Sequence, residues 1–577
     1  MTLARLGIKP TVIDADAYDS HQYGRADALQ PRFDSHRDLL RIINSLIGRS
    51  MEVMQVGKKP PSIDNSEIIH HQQSFGAPLN QLEAMGKKIF GRSFWEISSE
   101  STRRTTLARF FPSFLDFEKD YALAVRQGLI EQVMIDDIER HCEDFEVQWN
   151  CEFLDMELPT MTSVSSTVLV RETRTGQIHK LAARYVVAAD GGRSSVRRWA
   201  APYGVQLEGE TLPVTWCVLD AVNLRSNHPD LERLSVLRSG KGIVLVIPRE
   251  PIDGKPSARF DIQLANSKQK ATREEATQMI KDIFHPYKVD WDEVNWWSAY
   301  EAGLGLNTAF LEAHNLAWKM GLVLKGVAIP QILTTYGLER RSVAKELVNM
   351  DRRLVEIYAG LEKQSIDHYS DTSEWLSTLH TFQASHYAYQ AGASIVYPRT
   401  LLTVSRKRLA VKVGKPDVIP GARTRPAVVT RLSDLVPVPI VSRFDGRFTL
   451  YFLVGDLSKN NGLEQLVNLD AFLRRPGSMF SRDDIPLVSP YRQTAPEAGA
   501  IFEHPMHSKW GVDPNVGSIV VVRPDGHIAL KTIGFGVEEY QEVEAYFEGF
   551  LTPHGSERTS RKHREISLPN VETFSVL

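Results

Sequence analysis

The chain is poor in cysteine, almost balanced in charge and without a long apolar run, and each shortage removes a class of protein. Three cysteines in 577 residues, Cys142, Cys151 and Cys217, form no C-x-x-C pair and no even framework. That excludes a disulfide-stapled scaffold and a dithiol redox centre, and a reducing cytoplasmic setting is expected. With 68 basic and 71 acidic residues the formal net charge is −3, too small a balance to draw in nucleic acid or an anionic membrane. No uninterrupted apolar stretch is long enough to cross a bilayer, the N-terminus lacks a signal-peptide pattern, and no metal site is expected. The remaining composition, 42% hydrophobic and 24% charged, is that of a globular protein long enough for two or three domains.

What is present centres on Tyr185 to Arg198, YVVAADGGRSSVRR. A β-branched and small apolar run that stops at Asp190-Gly191 reads as a buried strand. It would deliver a carboxylate and a backbone without Cβ to the carboxyl edge of a sheet, where phosphate-bearing cofactors bind in α/β proteins. Asp-Gly is also a common turn signal, so the pair alone fits a plain turn equally well. Near the start, LARLGIKPTVID (Leu3 to Asp14) reads as a helix end capped at Gly7 and a short strand closing on Asp14. In a dinucleotide-binding βαβ unit that acid bonds the ribose hydroxyls. The first strand and its Gly-rich turn are not in the sequence, which opens partway along the helix that would follow them.

Asp190 and Gly191 with the tail Arg193-Ser194-Ser195-Val196-Arg197 resemble the DG motif of class A flavin-dependent aromatic hydroxylases. The run Tyr23-Gly24-Arg25-Ala26-Asp27-Ala28-Leu29-Gln30-Pro31-Arg32 resembles the YGxADGLQxR segment of the phenol 2-monooxygenase branch. The resemblance implies that Asp190 and Gly191 touch FAD and the nicotinamide, that Asp27 acts at the substrate hydroxyl and that Arg32 lies against the flavin; a solvated turn residue is the plainer account of Asp27. It further assigns a flavin contact to Gln127, in YALAVRQGLIEQ, against an ordinary surface glutamine. Gly303, Gly305 and Asn307, in GLGLN, match the family's G-x-G-x-N helix start, whereas the glycine-aspartate strand that normally precedes it is missing: Tyr300 is followed almost at once by Ala302. In the family's Arg-x-Tyr pair Arg259 stands but Asp261 replaces the tyrosine; Arg259 would stabilise a phenolate, or simply pair with Asp261 along the strand.

The expected fold class is mixed α/β, a Rossmann-like FAD domain with an inserted antiparallel substrate-domain sheet, followed by a thioredoxin-like C-terminal domain. The FAD and substrate parts interleave over 1–364, with an atypical insert at 33–65; a helical connector covers 365–426 and the C-terminal domain, expected to mediate a homodimer, 427–577. The resemblance implies a monooxygenase that uses FAD, NADPH and O₂ on a small phenolic or aromatic substrate. The competing expectation is a catalytically impaired relative that holds FAD weakly, because two cofactor segments are missing.

Overall fold

The structure, a computed structural model, describes residues 1–18, 76–97, 101–110, 121–160, 164–206, 215–264, 272–300, 306–359, 372–390, 392, 394–404, 418–425, 427–431, 437–440, 446–454, 462–475, 491–493 and 505–552. The insert at 33–65 lies outside the described residues. Among those described, no helix is long and apolar enough to cross a membrane.

The largest element is a seven-stranded sheet. Its order is Glu293–Tyr300, Thr215–Val222, Ser257–Leu264, Gly242–Pro248, Leu234–Ser239, Gly91–Ile97 and Thr102–Arg109. The strands expected at 215–264 are all present. They pair antiparallel with one another, as expected, and the sheet becomes mixed where Leu234–Ser239 runs parallel to Gly91–Ile97, a strand contributed from far upstream. Period-2 alternation divides the sheet into two chemically distinct faces. Ala258, Phe260 and Ile262 point to one side with Cys217, Leu219, Ala221, Val244 and Val246, and the helix Arg273–Phe284 closes over them with Ala276, Ile280, Ile283 and Phe284. That helix starts at a capping box: Glu275 N donates to Thr272 Oγ1 at 3.2 Å, and Thr272 N to Glu275 Oε2 at 2.7 Å. The alternate residues Arg259 and Asp261 therefore face the opposite side.

Away from that sheet, the helix Thr2–Arg5 packs against both Gln127–His141 and Leu306–Leu324. Arg5 and the fully buried Asp137 tie the first two together, with Arg5 Nε donating to Asp137 Oδ2 at 2.7 Å. Gly7 closes the first helix with φ of 71°, and Val12–Ile13 follows as a strand parallel to Val147–Gln148, as the sequence suggests. The run at 185–190 is different. It belongs to no sheet, and Val186 and Val187 are 37% and 50% exposed, so the expected buried strand is corrected to an extended, half-exposed segment. Extended backbone follows from local β-branched residues, but a ladder needs neighbours, and no described strand lies beside it.

The C-terminal part begins with Ala427–Arg431 and runs through Thr449–Leu453, Ser518–Val522, Ile528–Lys531 and the helix Val537–Glu548. It is packed onto the rest of the chain through Trp318, Ile332, Leu333, Leu402, Tyr546 and Phe550, all in one buried cluster. At the same seam lies a cluster of buried charge. Arg523 donates to both oxygens of Glu339, at 2.7 and 2.8 Å, and to Asp525 at 3.1 and 2.6 Å. Lys319 Nζ donates to Glu339 Oε2 and to Asn315 Oδ1, each at 2.8 Å. Burial opposes ionisation of Glu339, but Arg523 and Lys319 outweigh it and hold the carboxyl below its usual range. Removing one member of such a cluster leaves an uncompensated buried charge, so Arg523→Met is expected to lower stability by about 3–5 kcal/mol, read as a fall in the urea midpoint. An unchanged midpoint would show that the seam is held by apolar packing alone. Because the Glu339 pKa is depressed on folding, its contribution is complete above the ordinary glutamate value of 4.5 and is lost as pH falls below it. The midpoint should therefore decline on the acid side in the parent chain and less so in Glu339→Gln.

Candidate active site

On the polar side of the large sheet, Asp220 and Arg259 are direct cross-strand partners. Arg259 Nε donates to Asp220 Oδ1 at 2.6 Å and Nη2 to Oδ2 at 2.5 Å, and the guanidinium lies 5.1 Å from the Trp296 ring centroid. Arg259 is completely buried. The expected alternative pairing of Arg259 with Asp261 along the strand is thereby corrected: the bidentate partner sits across the ladder, where opposed side chains stand closer than residues two apart on one strand.

From this pair a line of charge runs outward. Arg249 Nη1 lies 3.6 Å from Asp220 Oδ1, and Arg249 Nε donates to Glu250 Oε2 at 3.3 Å. Glu250 Oε1 in turn accepts from Arg126, from the backbone N at 3.1 Å and from Nε at 2.8 Å. Arg126 caps the helix Gln127–His141. The sheet face and the start of that helix are thus fastened by five alternating charges, and a small cavity of about 10 Å³ beside them is bounded by Arg126, Asp220 and Arg249 together with the apolar Ala221, Ile252 and Ala258. Through this chain the structure connects two of the residues singled out in the sequence, Arg259 and Gln127. Gln127 is the first residue of its helix, and its Nε2 donates to Glu131 Oε1 one turn on.

A second grouping forms around the strand Cys151–Glu157. Cys151 N donates to the Asp14 carbonyl at 2.7 Å, and Asp14 Oδ1 accepts from Asp16 N at 2.9 Å. The helix Ser195–Ala200 packs against the same strand. Its start is held by Asp190, whose Oδ2 accepts from Ser195 N at 2.7 Å and Val196 N at 3.1 Å, while Ser194 Oγ accepts from Arg197 N at 2.9 Å. Gly191 has φ of 75°, a conformation that favours glycine, and a Cβ built on Gly192 would meet nothing within 4 Å. An exposed turn with open backbone, next to an acid that closes a strand, fits the hydroxyl-rich and phosphate-bearing parts of a flavin nucleotide. Asp27, Arg32, Gly303 and Gly305 lie outside the described residues. Asn307 is the second residue of the helix Leu306–Leu324.

Sequence reading missed Asp220, Arg249 and Glu250. One signal was present: an aspartate inside the apolar strand TWCVLDAV, level with an arginine in SARFDIQL, is hard to account for unless the two meet.

Asp261 is the other buried charge of this face. It is 2% exposed, its cross-strand neighbours Val218 and Leu245 are apolar, and Oδ1 has no hydrogen-bond partner among the described residues. Burial pushes its carboxyl up from 3.8 to about 7, with Arg259 pulling down and Asp220 pushing up. Cys217, from the strand beside it, has its thiol pushed to about 12, by burial first and then by Asp261. Because folding raises the Asp261 pKa, the folded chain binds the extra proton between pH 3.8 and about 7, and stability attributable to this group falls as pH rises through that window. Asp261→Asn is expected to remove that part of the slope and to leave the chain more stable than the parent above the window, as read from unfolding midpoints at several pH values. An identical slope in both chains would contradict it.

The FAD binding domain family matches residues 1–302 and 300–351, so the match divides where the sequence passes from Tyr300 to the G-x-G-x-N helix. The phenol hydroxylase C-terminal dimerisation domain matches 493–555. Among characterised relatives, the FAD-dependent monooxygenase terD of Aspergillus terreus is 26% identical over 474 residues, covering 70% of this chain and 75% of its own. Phenol 2-monooxygenase fsqG of Aspergillus fumigatus is 26% identical over 492 residues, covering 73% and 80%. The 3-hydroxybenzoate 4-monooxygenase of Comamonas testosteroni is 28% identical over 462 residues, covering 65% and 70%. In fold the chain is similar to the flavin-dependent monooxygenase PieE, solved in complex with FAD and substrate, with a TM-score of 0.60 at 17% identity over 95% of this chain and 96% of that one. Aklavinone-11 hydroxylase, solved with FAD and aklavinone, gives 0.59 at 18% identity, with 95% of each chain covered. With the FAD-domain match spanning more than half of its length, the chain belongs to the FAD-dependent aromatic hydroxylases, in the branch that carries the phenol hydroxylase C-terminal domain.

Proposed function

We propose that the protein hydroxylates a phenolic ring, using FAD, NADPH and O₂. The observation that carries this reading is the buried polar face of the large sheet, where Arg259, fixed by Asp220, stands two residues from Asp261 on the same strand. A cation held rigidly in a site of low polarity stabilises an aryl oxide better than water does, and a ring bearing an oxide is the more electron-rich, more oxidisable form of a phenol. Phenol 2-monooxygenase and 3-hydroxybenzoate 4-monooxygenase among the relatives, both named for hydroxylated aromatic substrates, support the same substrate class.

In this reading FAD is held by Asp14, Arg32, Gln127, Asp190, Gly191, Gly303, Gly305 and Asn307, and Asp27 joins Arg259 at the substrate hydroxyl. When bound, the flavin supplies the oxygen chemistry: NADPH provides two electrons, one atom of O₂ enters the ring and the other leaves as water. The chain's own residues orient the ring, hold its oxygen and exclude water. Residues 493–555, matched to a dimerisation domain, support a homodimer, and the chain's near-neutral charge and reduced cysteines support a cytoplasmic setting.

One observation favours the impaired-relative reading: the apolar segment at 185–190 is exposed next to the DG turn. The family match and the relatives weigh against it. Purified protein is expected to be yellow after desalting, to oxidise NADPH faster when phenols are added, and to elute as a dimer. Colourless protein that ignores NADPH after incubation with FAD would return the impaired reading to first place.

A further inference from the structure

The helix Gln127–His141 cannot cap its own start. Its N-cap residue is Arg126, whose side chain only donates, and its first turn holds no acid. The missing acceptor comes from the sheet, 124 residues away: Glu250 Oε1 takes the Arg126 backbone N–H at 3.1 Å and the Arg126 Nε–H at 2.8 Å. Glu250 is 2% exposed, and it is itself fixed from the sheet side. Its carbonyl accepts from Ser257 Oγ at 2.6 Å, Arg249 N donates to the Ser257 carbonyl at 3.0 Å, and Arg249 Nε and Nη2 reach the two carboxylate oxygens at 3.3 and 3.4 Å. Ser257 opens the strand Ser257–Leu264, which carries Arg259 two residues further on.

We propose that Glu250 is a positioning residue for hydroxylation: by bonding the helix that starts at Gln127 to the sheet face that bears Arg259, it fixes the flavin-holding side of the molecule against the ring-holding side. The inference rests on the phenol-hydroxylating reading, in which Gln127 touches FAD and Arg259 the substrate oxygen, and deepens it by naming what keeps the two in register. Glu250 itself acts only through Arg126 and Arg249. A buried ion pair contributes little net stability compared with apolar packing, but its bonds are directional, and misplacing reacting groups by about 1 Å costs on the order of 10²-fold in rate. Two balanced outcomes are open to each turnover. With the ring in register, NADPH, a proton and O₂ convert the phenol to its hydroxylated product, NADP⁺ and water. With the ring out of register, the same two electrons and two protons leave with O₂ as hydrogen peroxide. The ratio of product to peroxide therefore reads alignment, whereas NADPH oxidation alone does not.

Two measurements test this. The holoenzyme is compared as parent, Glu250→Gln, Arg126→Gln and the double variant, with a phenol that the parent hydroxylates. Glu250→Gln is expected to lower kcat for hydroxylated product by about 10²-fold at nearly unchanged KM, while NADPH oxidation continues and the lost product reappears as peroxide. Arg126→Gln, at a side chain that is 23% exposed, is the milder change and leaves Glu250 paired with Arg249; it should move the product-to-peroxide ratio in the same direction, and it decides alone if Glu250→Gln fails to fold. The double variant should be no worse than the worse single one, because both remove the same contact. Parent-like ratios in both single variants, or losses that multiply in the double one, overturn the proposal.

The second measurement needs neither flavin nor turnover: amide hydrogen exchange in the flavin-free protein. The Arg126 amide should exchange about 10-fold faster in Glu250→Gln, which loses the charge on its acceptor, while the amides of Thr215–Val222 keep the parent's protection. Unchanged exchange at Arg126 overturns the proposal. If the parent binds no FAD and forms no product, the hydroxylase reading fails, and exchange at Arg126 then decides whether Glu250 holds the helix start to the sheet.

Discussion

One carboxylate, that of Glu339, holds three distant parts of the chain together. Its two oxygens accept from Arg523, which comes from 184 residues further along, and one of them also accepts from Lys319 and Asn315. Asn315 and Lys319 are a single turn apart on the helix Leu306–Leu324, so the carboxylate fixes that helix against Thr334–Ala359 and both against the C-terminal part. Water is excluded, since Glu339, Lys319 and Arg523 are 1% exposed or less, and in such surroundings each bond strengthens while each missing partner becomes expensive. Apolar packing around Trp318 contributes more area, but area is non-directional. The charges specify which helix turn meets which strand end.

The sheet face bearing Arg259 obeys the same rule on a smaller scale. Alternation within SARFDIQL commits Ala258, Phe260 and Ile262 to the core and leaves Arg259 and Asp261 no other side. Arg259 is then stabilised by an opposing acid, and the line through Arg249 and Glu250 to Arg126 carries that constraint to the start of the next helix. Asp261, outside this line, keeps the desolvation cost. A fold that spends stability on an unpaired acid beside a fixed cation has concentrated strain where chemistry is proposed.

How much of this was legible depends on the range of the interaction. Strands such as GIVLVIP and the capped helix after Gly191 follow from local pattern, and the structure has them. YVVAAD reads as a strand by the same local signal, yet pairing depends on neighbours remote in sequence, and among the described residues none is beside it. The pairing of Arg259 was misread for a related reason: period-2 spacing places it on a face with Asp261, but only the register of Thr215–Val222 reveals that Asp220 is opposite. The Glu339 cluster joins residues 184 apart, and nothing in its local sequence sets it off from an ordinary charged helix. The residues expected to hold the dinucleotide rest on motif resemblance, which draws on long-range information that periodicity lacks.

The three cysteines, counted at the outset for what they exclude, have a further consequence. Cys142, Cys151 and Cys217 are all buried and unpaired, and burial raises the thiol pKa of Cys151 and, more strongly, of Cys217. Oxidation by peroxide proceeds through the thiolate and needs access to it. Thiols that are both enclosed and held protonated, as those of Cys151 and Cys217 are, resist oxidation by peroxide without an accompanying reductant.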